Sequence, residues 1–151
     1  MFEKVPQSFD NHGRFVPPFH FVLVPILAIN LLWRLYRFGF LLTRGQGRAE
    51  AAVQLLLAVG FIILALSARI FALQAQDRVI RLEERLRLQG LLPESLRPRI
   101  AEIGRGQLIA LRFAPDEEAP GLVSKILAGE LKEPKAIKGA IKNWRADYHR
   151  V

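Results

Sequence analysis

The chain has 151 residues, a formal net charge of +8 and no cysteine. That length holds a pair of membrane spans and at most one small soluble domain, and the lack of cysteine excludes disulfides, thiolate metal sites and a cysteine nucleophile. Half of the residues are hydrophobic and they fall in two blocks, so the positive charge points to anionic lipid headgroups and away from nucleic acid.

Residues 1–18 read as a polar, irregular segment. Pro17-Pro18 suits an extended entry, with Pro18 near a helix start. Phe2, Phe9, Phe15 and Phe19 are expected at headgroup depth. The first span is expected over about residues 19–42. Pro25 lies inside it and should kink it or leave one carbonyl free. Asn30 is mid-span, level with Ile62 and Ile63, neither of which can bond it. It is expected to face a second subunit or the backbone as an interhelix hydrogen bond. Trp33, Arg34, Tyr36 and Arg37 form an interfacial cluster, aromatic rings at headgroup depth and arginines reaching to water. The apolar run is too long for a cleaved signal peptide, and no small-x-small site precedes residues 43–48.

Residues 43–48 make a tight connection, so the two spans are expected to be antiparallel neighbours with both termini on one side. The loop end carries Arg34, Arg37, Arg44 and Arg48. The other end carries Lys4, Arg14, Arg69, Arg78, Arg81, Arg85 and Arg87, the larger basic group, which favours cytoplasmic termini.

Residues 51–89 read as one unbroken helix, about 58 Å long at 1.5 Å per residue. Its first part, 51–73, is apolar enough to cross a bilayer. Its second part, 74–89, is too charged to stay in lipid, and Gly90 follows where a helix usually stops. A heptad runs through the whole length. Ala51, Ala58, Ala65, Ala72, Val79 and Leu86 sit seven apart; Gln54, Phe61, Ala68, Ala75, Leu82 and Gln89 accompany them. In lipid, small residues let helices approach closely; in water, burial of Val and Leu is favourable. The seam changes from Ala to Val79, Leu82 and Leu86 where the solvent changes. Arg78 and Glu83 flank it at positions that pair between parallel coiled-coil strands. The competing reading is that Val79, Leu82 and Leu86 face this chain's own C-terminal helices. Arg69 is expected to bind lipid phosphate, and Gln54 to be solvated near the loop.

The protruding helix offers acid-first pairs Asp77–Arg81 and Glu83–Arg87 at i,i+4. Residues 90–151 are expected to fold as short helices leaning on the rod or on neighbouring subunits. Ser95 is expected to cap 96–103; Gly104 ends that helix. Residues 107–114 follow, offering Leu108, Ile109, Leu111 and Phe113 to a core. Pro115-Asp116-Glu117-Glu118 opens the next helix, with Leu122, Val123, Ile126 and Leu127 as its buried stripe and Gly129 at its end. The last helix begins at Pro134, with Ile137, Ala140, Ile141, Trp144 and Tyr148 as one apolar stripe. Lys135, Lys138, Lys142 and Arg145 face outward as a solvated surface.

No phosphate loop, metal spacing or catalytic carboxylate pair stands out. His12, His20 and His149 are scattered, and Glu83-Glu84 and Asp116–Glu118 have structural explanations. No cofactor is expected and no nucleic acid.

Four stretches carry a resemblance. They are Asn11-His12-Gly13-Arg14-Phe15-Val16-Pro17, the run from Gln76 to Arg87, the run from Gln107 to Ala114, and Ile141-Lys142-Asn143-Trp144-Arg145-Ala146-Asp147. Together they resemble a family of short bacterial integral membrane proteins known only as a domain of unknown function. The resemblance implies a bacterial membrane protein and lends no activity, cofactor or catalytic residue.

The expectation is an all-α membrane protein: a two-helix transmembrane hairpin at 19–73, a protruding helix at 74–89, and a small helical domain at 90–151. The expected setting is the bacterial inner membrane. The expected role is non-enzymatic self-association as a scaffold or accessory subunit, with itself, anionic lipids and an unidentified membrane partner as contacts. The alternative is a small homo-oligomeric channel, for which Asn30, Gln54 and Arg69 would have to share an axis.

Overall fold

The structure is a computed structural model that describes Ser8, Phe9 and residues 16–146. The readings of most of segment 1–18, of Phe2, Phe15 and His12, and of Tyr148 and His149 lie outside the described residues. Every regular element among the described residues is helical. Contacts divide the chain into two units that meet in sequence between Leu73 and Gln74.

The first unit begins with a π-helical stretch, Pro18–Leu23, which runs into α1, Val24–Arg44. Pro18 sits in the first turn, as its fixed φ favours. Pro25, expected to kink the span or leave one carbonyl free, falls in the first turn of α1, directly after the π stretch, where the Val24 N–H reaches back five residues to the Phe19 carbonyl. A wide turn there absorbs the proline's missing donor. The Val16 N–H donates to His20 Nδ1 at 3.0 Å and steadies the entry.

Gly45 ends α1 with φ 84° and donates its N–H to the Leu41 carbonyl at 3.1 Å. Gly47, at φ 74°, completes a three-residue turn that only glycine makes without strain. Helix α2, Arg48–Leu91, then runs back. Arg34 donates to Gln54 near the turn, and the Arg69 guanidinium lies 5.9 Å from the Phe19 ring centre far from it. Antiparallel neighbours make such nested contacts. Pro18–Arg44 and α2 are both long and apolar enough to cross a membrane, and almost none of their apolar windows is buried.

Helix α2 is 44 residues long and passes Leu73 without a break. It also passes Gly90, the expected stop. Glycine only weakens a helix interior. Pro93 ends it, because the residue before a proline is pushed out of helical geometry.

The second unit packs short helices on the part of α2 that follows Leu73. After a 3₁₀ turn, Arg97–Glu102, come α3 (Arg105–Leu111), α4 (Ala119–Leu127) and α5 (Pro134–Ala140). Ser95 does not cap the first of these; Leu96 stands at its N-cap with no side-chain bond, and Pro98 keeps the turn short. Gln107 bonds back to the Gly104 N–H at 2.8 Å and forward to the Lys132 carbonyl at 3.1 Å. The core joins Leu88 of α2 and Leu92 just beyond it to Ile100, Ile103, Leu108, Leu111, Phe113, Leu122, Val123, Ile126, Ile137 and Ile141. Ile109 and Leu127, expected in it, are only half-buried.

Two local expectations give way where other partners, several of them distant in sequence, take the groups concerned. The pairs Asp77–Arg81 and Glu83–Arg87 do not form. Asp77 takes Arg105 at 2.6 Å, and Arg87 takes Glu84 at 2.9 Å and Asp116 at 2.7 Å. The last helix stops at Ala140, so Trp144 is not on it. Glu118 accepts the N–H groups of Lys142 and Asn143 at 2.9 and 3.0 Å, and these donors hold its carboxyl below the usual range. Trp144 then packs its ring 4.8 Å from that of Phe113, and Arg145 donates its N–H to the Phe113 carbonyl at 2.8 Å.

Candidate interaction surfaces

The heptad can be lettered with Ala65, Ala72, Val79 and Leu86 at a, and Phe61, Ala68, Ala75 and Leu82 at d. Beyond Leu73 the domain occupies a different face. Ile80 (b), Glu84 (f) and Leu88 (c) are buried under the C-terminal helices, whereas Val79, Leu82 and Leu86 are 53 %, 60 % and 60 % exposed. None of the three belongs to the buried core, although Val79 also lines a recess against the chain's own C-terminal segment. Ala68, Ala72 and Ala75 are exposed as well, and Phe61 with them. Among the described residues every other exposed large apolar side chain lies between Phe21 and Leu73.

The loop end of the same heptad behaves differently. Ala51 and Ala58 are buried within the chain, and Ala65 is half-buried. A strict seven-residue repeat drifts about 20° per heptad on an ordinary α-helix, so five heptads carry it about 100° around. Ala51 and Ala58 line the side of α2 turned to α1, together with half-buried Leu55 and Ile62. Leu86 has moved off it. The seam drawn through Ala51 and Ala58 is thus not one surface: these two residues are already covered, and what stays open runs from Phe61 to Leu86. Arg78 and Glu83, beside the open part, are exposed and have no ion pair with the described residues.

On α1, Trp33, Tyr36 and Phe40 form a ladder, with ring centres 5.8 and 6.2 Å apart, and Arg44 lies 4.7 Å over Phe40. Arg37 is exposed. Half-buried Arg34 bonds Gln54, which in turn donates to Glu50 at 2.9 Å in an exposed contact, so Gln54 bridges the two near the loop. Arg69 is engaged with the Phe19 ring. Asn30 is exposed beside Ile26, Ile29 and Trp33, which line a shallow hollow with it. The structure does not bring Asn30, Gln54 and Arg69 to a common point: each has different neighbours.

One feature escaped sequence reasoning. A recess of 610 Å³ opens between α2 and the C-terminal segment, lined by Ile80, Glu84, Arg87, Arg112, Asp116 and Arg145, among others. Glu84 is 5 % exposed. Burial pushes its carboxyl above the ordinary value of 4.5; Arg87 and Arg145 pull it back, and Glu83 adds to the rise. Arg87 also donates to the Ala114 carbonyl at 2.7 Å, which ties the recess wall together. The available signal was the spacing of Ile80, Leu88 and Leu92, a second apolar stripe with Glu84 inside it.

The folded chain thus holds the Glu84 proton more tightly than the unfolded chain. Its contribution to stability is full below the ordinary carboxylate pKa and is lost as pH rises through the raised one. Glu84→Gln keeps an acceptor for Arg87 and removes the titration. It is expected to flatten the decline of melting temperature with pH above 4.5, measured by circular dichroism. An unchanged slope would remove the Glu84 carboxyl as the source of the pH dependence.

Among the described residues no group of three histidine, aspartate or glutamate side chains is placed to hold a metal ion. No curated protein and no solved structure matches the chain. A family model described as a family of unknown function, DUF6526, matches residues 3–151, so the chain belongs to that family.

Proposed function

Starting from membership in a family that lends no activity, we propose that this protein is a two-span membrane protein whose copies associate in parallel through the open edge of α2. In this role it serves as a non-enzymatic scaffold or accessory subunit. One observation carries the reading. Outside the two apolar helices' lipid-length segments, the exposed large apolar side chains among the described residues are Val79, Leu82 and Leu86. They stand at i, i+3 and i+7 on one helix. An aqueous apolar stripe of this spacing marks a helix partner. A second copy in the same membrane orientation offers the same stripe, and its Glu83 meets Arg78. Their opposite charges, without an ion pair among the described residues, make the pairing self-complementary.

The exposed apolar surface from Phe21 to Leu73 supports a lipid setting. The larger basic group at the Arg69–Arg87 end supports termini in the cytoplasm. Anionic headgroups are the matching lipid partners for the net charge.

Charge reversal tests the pairing. Arg78→Glu sets two acids against each other across the pair and is expected to weaken it about 5- to 30-fold, as about 1–2 kcal/mol implies. Adding Glu83→Arg is expected to restore it. The readout is energy transfer between labelled copies in lipid vesicles. Equal transfer in all three chains would remove the parallel seam.

A further inference from the structure

The first span carries a polar group that the α2 seam does not use. Asn30 lies close to the middle of the apolar stretch Pro18–Arg44. Its side chain is exposed and has no partner among the described residues. Ile26 and Ile29 before it and Trp33 after it are also exposed, at 57 %, 68 % and 54 %, and the four line one hollow. An amide at that depth in hydrocarbon must find a donor and an acceptor, because no water supplies them. A pore wall would place further polar side chains around it. Here its three neighbours are apolar, which fits a dry contact between helices.

We propose that Asn30 is the centre of a second contact between copies, α1 against α1, in which the two amides bond each other. The occupant follows from chemistry and from depth. A carboxamide both donates and accepts, so it complements itself. A second copy inserted the same way brings its own Asn30 to the same depth without any further requirement. Interhelix amide bonds of this kind hold membrane helices together. The hollow formed with Ile26, Ile29 and Trp33 gives the approaching helix a seat. The inference rests on the membrane reading above and deepens it. The α2 edge makes pairs, and the α1 contact joins pairs into larger clusters.

The chain has no native cysteine, so single reporters are unambiguous. Ile26→Cys, one turn before Asn30, reports the α1 contact; Leu82→Cys reports the α2 edge. Both are oxidised in lipid vesicles containing anionic lipid, in the full chain. The expected result is covalent dimer from each reporter. Asn30→Leu is expected to lower the Ile26→Cys product about 3- to 30-fold, Asn30→Gln to keep it, and neither to change the Leu82→Cys product. A Leu82→Cys product without any Ile26→Cys product overturns the α1 contact and leaves the α2 edge standing. An Ile26→Cys product indifferent to Asn30→Leu overturns the role of the amide. No product from either reporter overturns both contacts.

Discussion

Leu82→Asp is expected to break the α2 pairing and lower the mass of the associated protein, and together with Asn30→Leu to leave single chains of 17.1 kDa, read by light scattering in mild detergent. In a parallel pair the two Leu82 side chains meet at the same level. Each leaves water at a gain of about 1.5–3 kcal/mol. Losing both costs about 3–6 kcal/mol, or roughly 10²- to 10⁴-fold in the dissociation constant. Two facing carboxylates add repulsion. The single chain itself should hardly notice, because Leu82 is 60 % exposed in it. Its domain stability should stay within about 0.5 kcal/mol. That asymmetry separates a partner surface from a structural one. If the mass is unchanged, the stripe is merely a solvated face.

Phe113→Ala is expected to do the opposite: to cripple the domain and spare the pairing helix. Phe113 is fully buried. Its ring receives Trp144 at 4.8 Å, the Arg112 guanidinium at 4.5 Å and the Lys138 ammonium at 5.5 Å. It closes the core under α5 and anchors the segment that follows Ala140. Removing so large a buried ring costs about 3–5 kcal/mol. A domain of this size has few such increments to lose, and the melting midpoint should fall by about 12–40 °C. Trp144 emission should shift to the red, with Trp33 as the constant background. A midpoint within a few degrees of the parent would mean that the core is organised around another side chain.

These two substitutions also show what the residues disclosed in advance. Periodicity located the faces of α2, and it located Leu122, Val123 and Ile126 on α4. Proline and glycine marked the start of α5 at Pro134 and the left-handed residue after α4, Gly129, whose φ is 79°. These are local matters, settled within a turn or two of chain. What periodicity does not tell is which neighbour covers a face. The heptad through Ala51 and Leu86 looks uniform on paper. It is covered at one end and open at the other because a seven-residue repeat does not close on 3.6 residues per turn. Glu84 looks like one more charge on a solvated helix. It is buried because a second stripe, Ile80 and Leu88 on α2 and Leu92 just after it, lies under the domain. Glu118 sits where an acid should favour a helix start. Its carboxylate is instead drawn to Lys142 and Asn143, 24 and 25 residues away. The family extends over residues 3–151 and adds no chemistry to these positions.

Parallel association requires that a second side of α2 be shielded beyond Leu73. Single cysteines placed one at a time from 75 to 89, in a chain that has none of its own, report this by their reaction with a membrane-impermeant maleimide in vesicles. Slow reaction is expected at 75, 79, 82 and 86 in addition to the sites that the chain's own domain covers at 80, 84 and 88. Slow reaction at 80, 84 and 88 alone, with 79, 82 and 86 as fast as 78 and 85, would mean that no second copy lies against this helix.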